Sequence, residues 1–253
     1  LGPSEGPSTP PPFPGVPGGA HEHFNGGIYN GSKAPDLDRF ILSPAHYALA
    51  LYAALIEVGR LAPDGLAHFN QDGSSVEMIG AEHSPGIEVS GGSFGQALAQ
   101  AAGIATARKL RGETGLVWVF MSDGEFQEGQ SWETLMTSAF HKLDNLRVIV
   151  DVNGQQVDGR MAETMNIEPF AQKIDAFGWQ VCPVDGHDIE ALAAAAQSPT
   201  DRPLLVLAYT CPYQGIDIMQ ERGTKLHYIR FKSDEEREQY REVLAAMPAD
   251  EEV

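Results

Sequence analysis

The sequence predicts an α/β fold on a mostly parallel sheet, and three observations predict it. An apolar run from Leu116 to Met121 ends in Ser122-Asp123-Gly124. A second, from Leu146 to Val150, ends in Asp151-Val152-Asn153-Gly154. Runs this short, bounded by turn-forming residues, read as buried strands. Between them a polar, Gly-containing turn leads into a helix-like stretch to Lys142, which completes a βαβ unit.

Composition sets the outer bounds. A length of 253 residues suits one large α/β domain with a full core. No apolar run approaches the roughly eighteen residues that span a membrane, and no charged-then-apolar leader opens the chain. It begins with Leu, so the true start is not legible. Two cysteines, Cys182 and Cys211, make no disulfide framework and fit a reducing cytoplasm. A net charge of −18 argues against nucleic-acid binding, which wants a basic face.

The strand ends carry the chemistry. Ligands collect at the carboxyl ends of parallel strands, and each run ends in a hard oxygen donor, Asp123 on one and Asn153 on the other. One carboxylate and one amide are too few for Ca²⁺. They suit Mg²⁺, which keeps water and takes phosphate oxygens from its ligand. A Mg²⁺-bound diphosphate is the expected occupant. The plainer alternative is a pair of turns carrying Asp-Gly and Asn-Gly, the usual turn dipeptides.

Asp123-Gly124, then about thirty residues, then Asn153 with a backbone carbonyl at Gln155, resembles the thiamine diphosphate motif. The extension Asp123-Gly124-Glu125-Phe126-Gln127-Glu128-Gly129-Gln130-Ser131-Trp132-Glu133 resembles the transketolase version of it. Ser122 stands where the family usually has Gly, a mild departure because the second Gly matters more for the diphosphate. The resemblance implies the thiamine-diphosphate-binding fold, a mostly parallel sheet with helices on both faces. It implies Mg²⁺ held by the Asp123 and Asn153 side chains and the Gln155 carbonyl, with Gly124 and Glu125 among the cofactor-binding residues.

In chain order, residues 1–35 read as a Pro/Gly-rich tail and N-terminal loop, and 36–253 as the diphosphate-binding domain. The first twenty residues cannot pack a core and are expected to be disordered. His21 and His23 are stand-ins for a family pocket histidine or loop residues without a role. Asp38-Arg39-Phe40-Ile41-Leu42-Ser43-Pro44-Ala45-His46 resembles the family's DRFxLSxGH segment. It reads as a short strand followed by a helix through Val58, with Ser43 as N-cap and Pro44 at its first position. By resemblance His46 touches the cofactor diphosphate and the substrate. Residues 65–84 are expected to wall the pocket, and His83 is a substrate-pocket candidate.

Ser90-Gly91-Gly92-Ser93-Phe94-Gly95-Gln96 resembles the family's glycine turn and opens an Ala-rich helix to Arg111. Gly92 and Phe94 would then face the aminopyrimidine. A nucleotide phosphate is the alternative ligand for such a turn, but the strand it needs immediately before it is lacking. Met165-Asn166-Ile167-Glu168-Pro169-Phe170 and Ala176-Phe177-Gly178-Trp179 resemble transketolases encoded as two chains. Gln180 to Val184 and Leu204 to Tyr209 are further strand candidates. His187, in a turn ahead of a helix through Gln197, reads as structural. His227 falls where the family's loop histidine meets the diphosphate, with Tyr228 in place of Gly. Residues 233–247 read as a capped amphipathic helix.

The resemblance covers only the diphosphate-binding half of the enzyme. It implies that a C-terminal subunit supplies the pyrimidine-activating Glu, in a heterotetramer with two copies of each chain. His46, His227 and His83 are the implied catalytic residues, and ketol transfer from a ketose to an aldehyde is the implied reaction; departures from the family pattern on the substrate side leave room for specialised metabolism. Two alternatives stand beside it: the α chain of a 2-oxo acid dehydrogenase E1, and a non-catalytic scaffold of the same fold.

Overall fold

The computed structural model describes residues 6–7, 26–157 and 159–247. The tail and both early histidines, His21 and His23, lie outside those residues, apart from Gly6 and Pro7. Helical and strand elements follow in order: β1 (Arg39–Leu42), α1 (Ala48–Glu57), α2 (Gln96–Leu110), β2 (Val117–Ser122), α3 (Gly129–Phe140), β3 (Leu146–Val152), the short β4 (Gln155–Gln156) and β5 (Gly159–Arg160), α4 (Met161–Thr164), α5 (Phe170–Ala176), β6 (Gln180–Asp185), α6 (Ile189–Ala196), β7 (Leu204–Tyr209) and α7 (Asp234–Ala246). Among the described residues no helix is long and apolar enough to cross a membrane.

The main sheet runs β1-β2-β3-β7-β6, and every neighbouring pair in it is parallel. The chain reaches the edge strand β6 before returning to β7. Right-handed crossovers then place helices on opposite faces for opposite directions of travel. Accordingly α2, α3 and α5 pack with Val119, Met121, Val148 and Val150 on one face. On the other, α6 packs with Ile149, Val206 and Cys182, and α1, which precedes α2 in the same β1–β2 connection, packs with Leu42 and Phe120. The expected sheet with helices on both faces is what the chain forms. Ala97, Ala101 and Ala105 let α2 lie close to the strands. Wholly buried side chains such as Leu135 each contribute about 2 kcal/mol of transfer free energy.

Two local expectations change. The helix expected from Pro44 begins only at Ala48, after a 3₁₀ turn over Ala45–Tyr47. Ser43 is not its cap: the Ser43 hydroxyl donates instead to the buried Glu125 carboxylate. The hydroxyl proton goes to a carboxylate across the site, and the residues after Pro44 form a 3₁₀ turn in place of the first helical turn. By contrast, Gly95 does open α2, at φ +77°. A Cβ there would come within 2.9 Å of the Glu128 Cβ, so only glycine fits this turn. At the far end Ser233 caps α7, accepting from the Glu236 N–H at 3.2 Å, and no residue of that helix is buried.

Candidate functional site

The carboxyl ends of β1, β2 and β3 surround a cavity of about 500 Å³. Its walls include Asp123, Gly124, Asn153, Gln155, His46, Phe94 and His227. Segments far apart in sequence converge there because the parallel register aligns their strand ends: Ser122 lies opposite Asp151, and Leu42 opposite Phe120.

Asp123 opens a 3₁₀ turn, Asp123–Gln127, and its carboxylate accepts the Gly154 N–H at 2.9 Å, tying the two strand ends together. Burial, reinforced by the Asp151 charge, pushes its pKa up to about 7. A carboxylate so placed gains from a cation. Asn153 presents Oδ1 to the Gln155 N–H at 2.9 Å. Its Nδ2 donates to Asp151 at 2.9 Å and to the Tyr47 hydroxyl at 3.3 Å. His46 sits 5.7 Å, centroid to centroid, from both Phe94 and His227. Burial, and then the neighbouring His227, hold its pKa below the ordinary value.

These residues fit a divalent cation carrying a diphosphate. Among the described residues no three His, Cys, Asp or Glu side chains gather into a metal cage. The donors here are one carboxylate, one amide and a backbone carbonyl, which suits an ion ligated mainly by phosphate and water. A Cβ placed on Gly124 meets nothing within 4 Å, so open space lies directly against that backbone.

Three expected site residues are placed differently. Glu125 does not line the cavity. Its carboxylate is wholly buried and accepts from the Ser43 hydroxyl, the Ser122 N–H at 3.1 Å and the Gly95 N–H at 3.5 Å. It is therefore a strut joining the β1 end, the β2 end and the glycine turn. The sequence places it just beyond Asp123 without telling which way it faces. His83 pairs with Glu77 at 2.9 Å and is absent from the cavity wall, because the segment around it folds back on Gly26. Gly92, at φ +103°, lies in the turn but is not part of the wall, which Phe94 reaches. His187 is bound as a structural residue, accepting the Cys211 N–H at 2.8 Å.

Sequence reasoning passed over Tyr47, Asp151 and Thr210. Tyr47 lines the cavity, and its hydroxyl donates to Asp151 at 3.1 Å. Burial, with Asp151 next to it, raises the phenol's pKa. Thr210 donates to the other Asp151 oxygen. The available signal was spacing: Asp151 stands two residues before Asn153 and so leaves the strand on the same side.

Comparison with known proteins bears on the family and the fold. Residues 28–250 match the thiamine diphosphate binding domain of transketolase. The chain is 40% identical over 217 residues to an uncharacterised transketolase family protein of Sinorhizobium fredii, covering 84% of this chain and 77% of that one. It is 33% identical over 204 residues to one subunit of the apulose-4-phosphate transketolase of Actinobacillus succinogenes, covering 79% and 74%. A Pichia stipitis transketolase solved with xylulose-5-phosphate superposes with a TM-score of 0.67 at 26% identity, over 86% of this chain and 37% of that one. Transketolase from Campylobacter jejuni gives 0.63 at 30% identity, over 70% and 30%. The chain thus spans about a third of the length of these solved enzymes. It belongs to the transketolase family and corresponds to its N-terminal, thiamine diphosphate-binding domain.

Proposed function

We propose that this chain is the diphosphate-binding subunit of a two-chain transketolase that moves a two-carbon ketol unit from a ketose to an aldehyde. The observation that carries the reading is the cavity where Asp123 and Asn153 present oxygens beside open backbone at Gly124. In this reading Asp123, Asn153 and the Gln155 carbonyl hold Mg²⁺, and Gly124 leaves room for the diphosphate. Thiamine diphosphate, when bound, supplies the carbanion chemistry, so the protein's task is to bind, orient and exclude water. Phe94 flanks the cavity at the glycine turn. His46 and His227 are ring neighbours in the cavity wall, 5.7 Å apart. A neutral His46, held so by burial, can accept a proton from a substrate hydroxyl and return it.

Two relatives support a second chain, because each is named as one subunit of a transketolase. One is the apulose-4-phosphate enzyme of Actinobacillus succinogenes, the other a 6-deoxy-6-sulfo-D-fructose transketolase of Clostridium. That second chain would bring the carboxylic acid that activates the pyrimidine. Two copies of each are expected by symmetry. Residues 36–253 would act as one domain. The departures from the family pattern on the substrate side leave room for a donor and acceptor of specialised metabolism.

Co-expression with a C-terminal-type transketolase subunit tests it. The complex should contain both chains and turn over ketose donors with an aldehyde acceptor, while either chain alone is inert. Release of CO₂ from 2-oxo acids as the only turnover would transfer the chain to the dehydrogenase class. Full ketol transfer by this chain alone would remove the need for a partner.

A further inference from the structure

The carboxamide of a metal-binding asparagine is useful only when its oxygen, not its nitrogen, meets the ion. In Asn153 the amide nitrogen is engaged within this chain. It donates to Asp151 Oδ2 at 2.9 Å and to the Tyr47 hydroxyl at 3.3 Å. The Tyr47 O–H in turn donates to the same Asp151 oxygen at 3.1 Å, and Thr210 donates to the other. Asp151 can only accept in its ionised form. Turning the Asn153 amide over would set its oxygen against that carboxylate and against a phenol whose one proton is already given away. The Oδ1 is therefore held on the side of Gln155, whose N–H it accepts at 2.9 Å.

Resting on the metal reading above, we propose that Tyr47, acting with Asp151, is a positioning residue that locks the Asn153 carboxamide with its oxygen turned to the cation. Tyr47 does not touch the ion in this assignment. It acts through Asn153, as outer partners of metal ligands commonly do. Its placement suits the role. It follows His46 in the 3₁₀ turn after β1, and its ring packs edge-on to His46 at 4.7 Å and near Phe120 at 6.1 Å. The β1 end and the β3 end are thus joined through one hydroxyl. Thr210, at the end of β7, steadies Asp151 from the other side.

The test uses the two-chain complex, with Mn²⁺ as the probe in the presence of thiamine diphosphate, and reads free Mn²⁺ by electron paramagnetic resonance. Tyr47→Phe keeps the ring and removes only the hydroxyl. Asp151→Asn keeps the shape and removes the acceptor-only character. Each should weaken Mn²⁺ about 10-fold or more, with little change in melting temperature for Tyr47→Phe. In the chain alone, the Asn153 side-chain amide protons, followed by ¹⁵N NMR, should shift and exchange faster in both variants. A purely structural tyrosine would move neither readout. Mn²⁺ affinity at the wild-type level in both variants would overturn the proposal. If the wild-type complex itself takes up no Mn²⁺, the metal reading fails, and the proposal with it. Unchanged Asn153 amide resonances in Tyr47→Phe would sink the positioning role while leaving the metal reading intact.

Discussion

Asp123 and Glu125 sit two residues apart in one 3₁₀ turn, and both are buried, with pKa values raised by that burial. Their surroundings differ. Glu125 has its oxygens satisfied from inside the chain, by Ser43, Ser122 and Gly95. Asp123 accepts the Gly154 N–H at 2.9 Å and backbone N–H groups of its own turn, at Asp123 and Gly124, and it also lines a cavity of about 500 Å³, which Glu125 does not. A buried carboxylate saturated by the chain's own donors is a strut. One that also lines a cavity is the candidate ligand of the proposed function. Type and burial alone do not separate the two, but the cavity does.

The largest effect is expected at Asp123. Asp123→Ala should weaken Mg²⁺-dependent thiamine diphosphate binding at least about 100-fold, while the fold survives. Removing a carboxylate whose ionised form is disfavoured by burial costs the metal-free chain little or even stabilises it. Calorimetry for the cofactor and thermal melts for the fold would check both halves. Near-native affinity would show that Asp123 is a second strut.

Glu125→Ala should do the reverse. It strands the Ser43 hydroxyl and two backbone N–H groups in the interior, and urea unfolding should register a loss of about 3 kcal/mol. Ser43→Ala should cost about 1.5 kcal/mol. If Ser43 works through Glu125, the two losses are non-additive in a double-mutant cycle. Were Ser43 a helix cap, they would simply add.

The smallest expected effect is on pH dependence. The folded-state pKa of His46 lies below its ordinary 6.5, through burial first and then the neighbouring His227. Between that lowered value and 6.5 the unfolded chain binds a proton that the folded chain does not. The His46 contribution is therefore complete above pH 6.5 and declines as pH falls into that window, opposite in sign to that of Asp123, whose raised pKa favours the folded chain as pH falls. His46→Gln should flatten this part of the stability-pH curve, measured by melts between about pH 5 and pH 7. An unchanged slope would place the titration elsewhere and leave His46 without the buried environment the mouth of the cavity provides.

Much of this protein was legible in its sequence. Strands at β2, β3 and β7 could be read because apolar runs between turn residues have few other ways to be buried. Asp123 and Asn153 could be read because a strand end fixes where its next residue points, whatever the rest of the chain does. The glycine turn at Gly95 could be read because its left-handed backbone admits little else. Tertiary assembly chose the partners of side chains that reach across elements. Ser43 was drawn from a helix cap to Glu125 over 82 residues of sequence separation. Glu125 turned inward, His83 went to Glu77, and Tyr47 met Asn153 across 106 residues. Local rules follow from backbone geometry, which the chain carries everywhere. A buried polar side chain instead takes the strongest donor or acceptor that packing brings within about 3 Å, and which one arrives is settled when the sheet assembles.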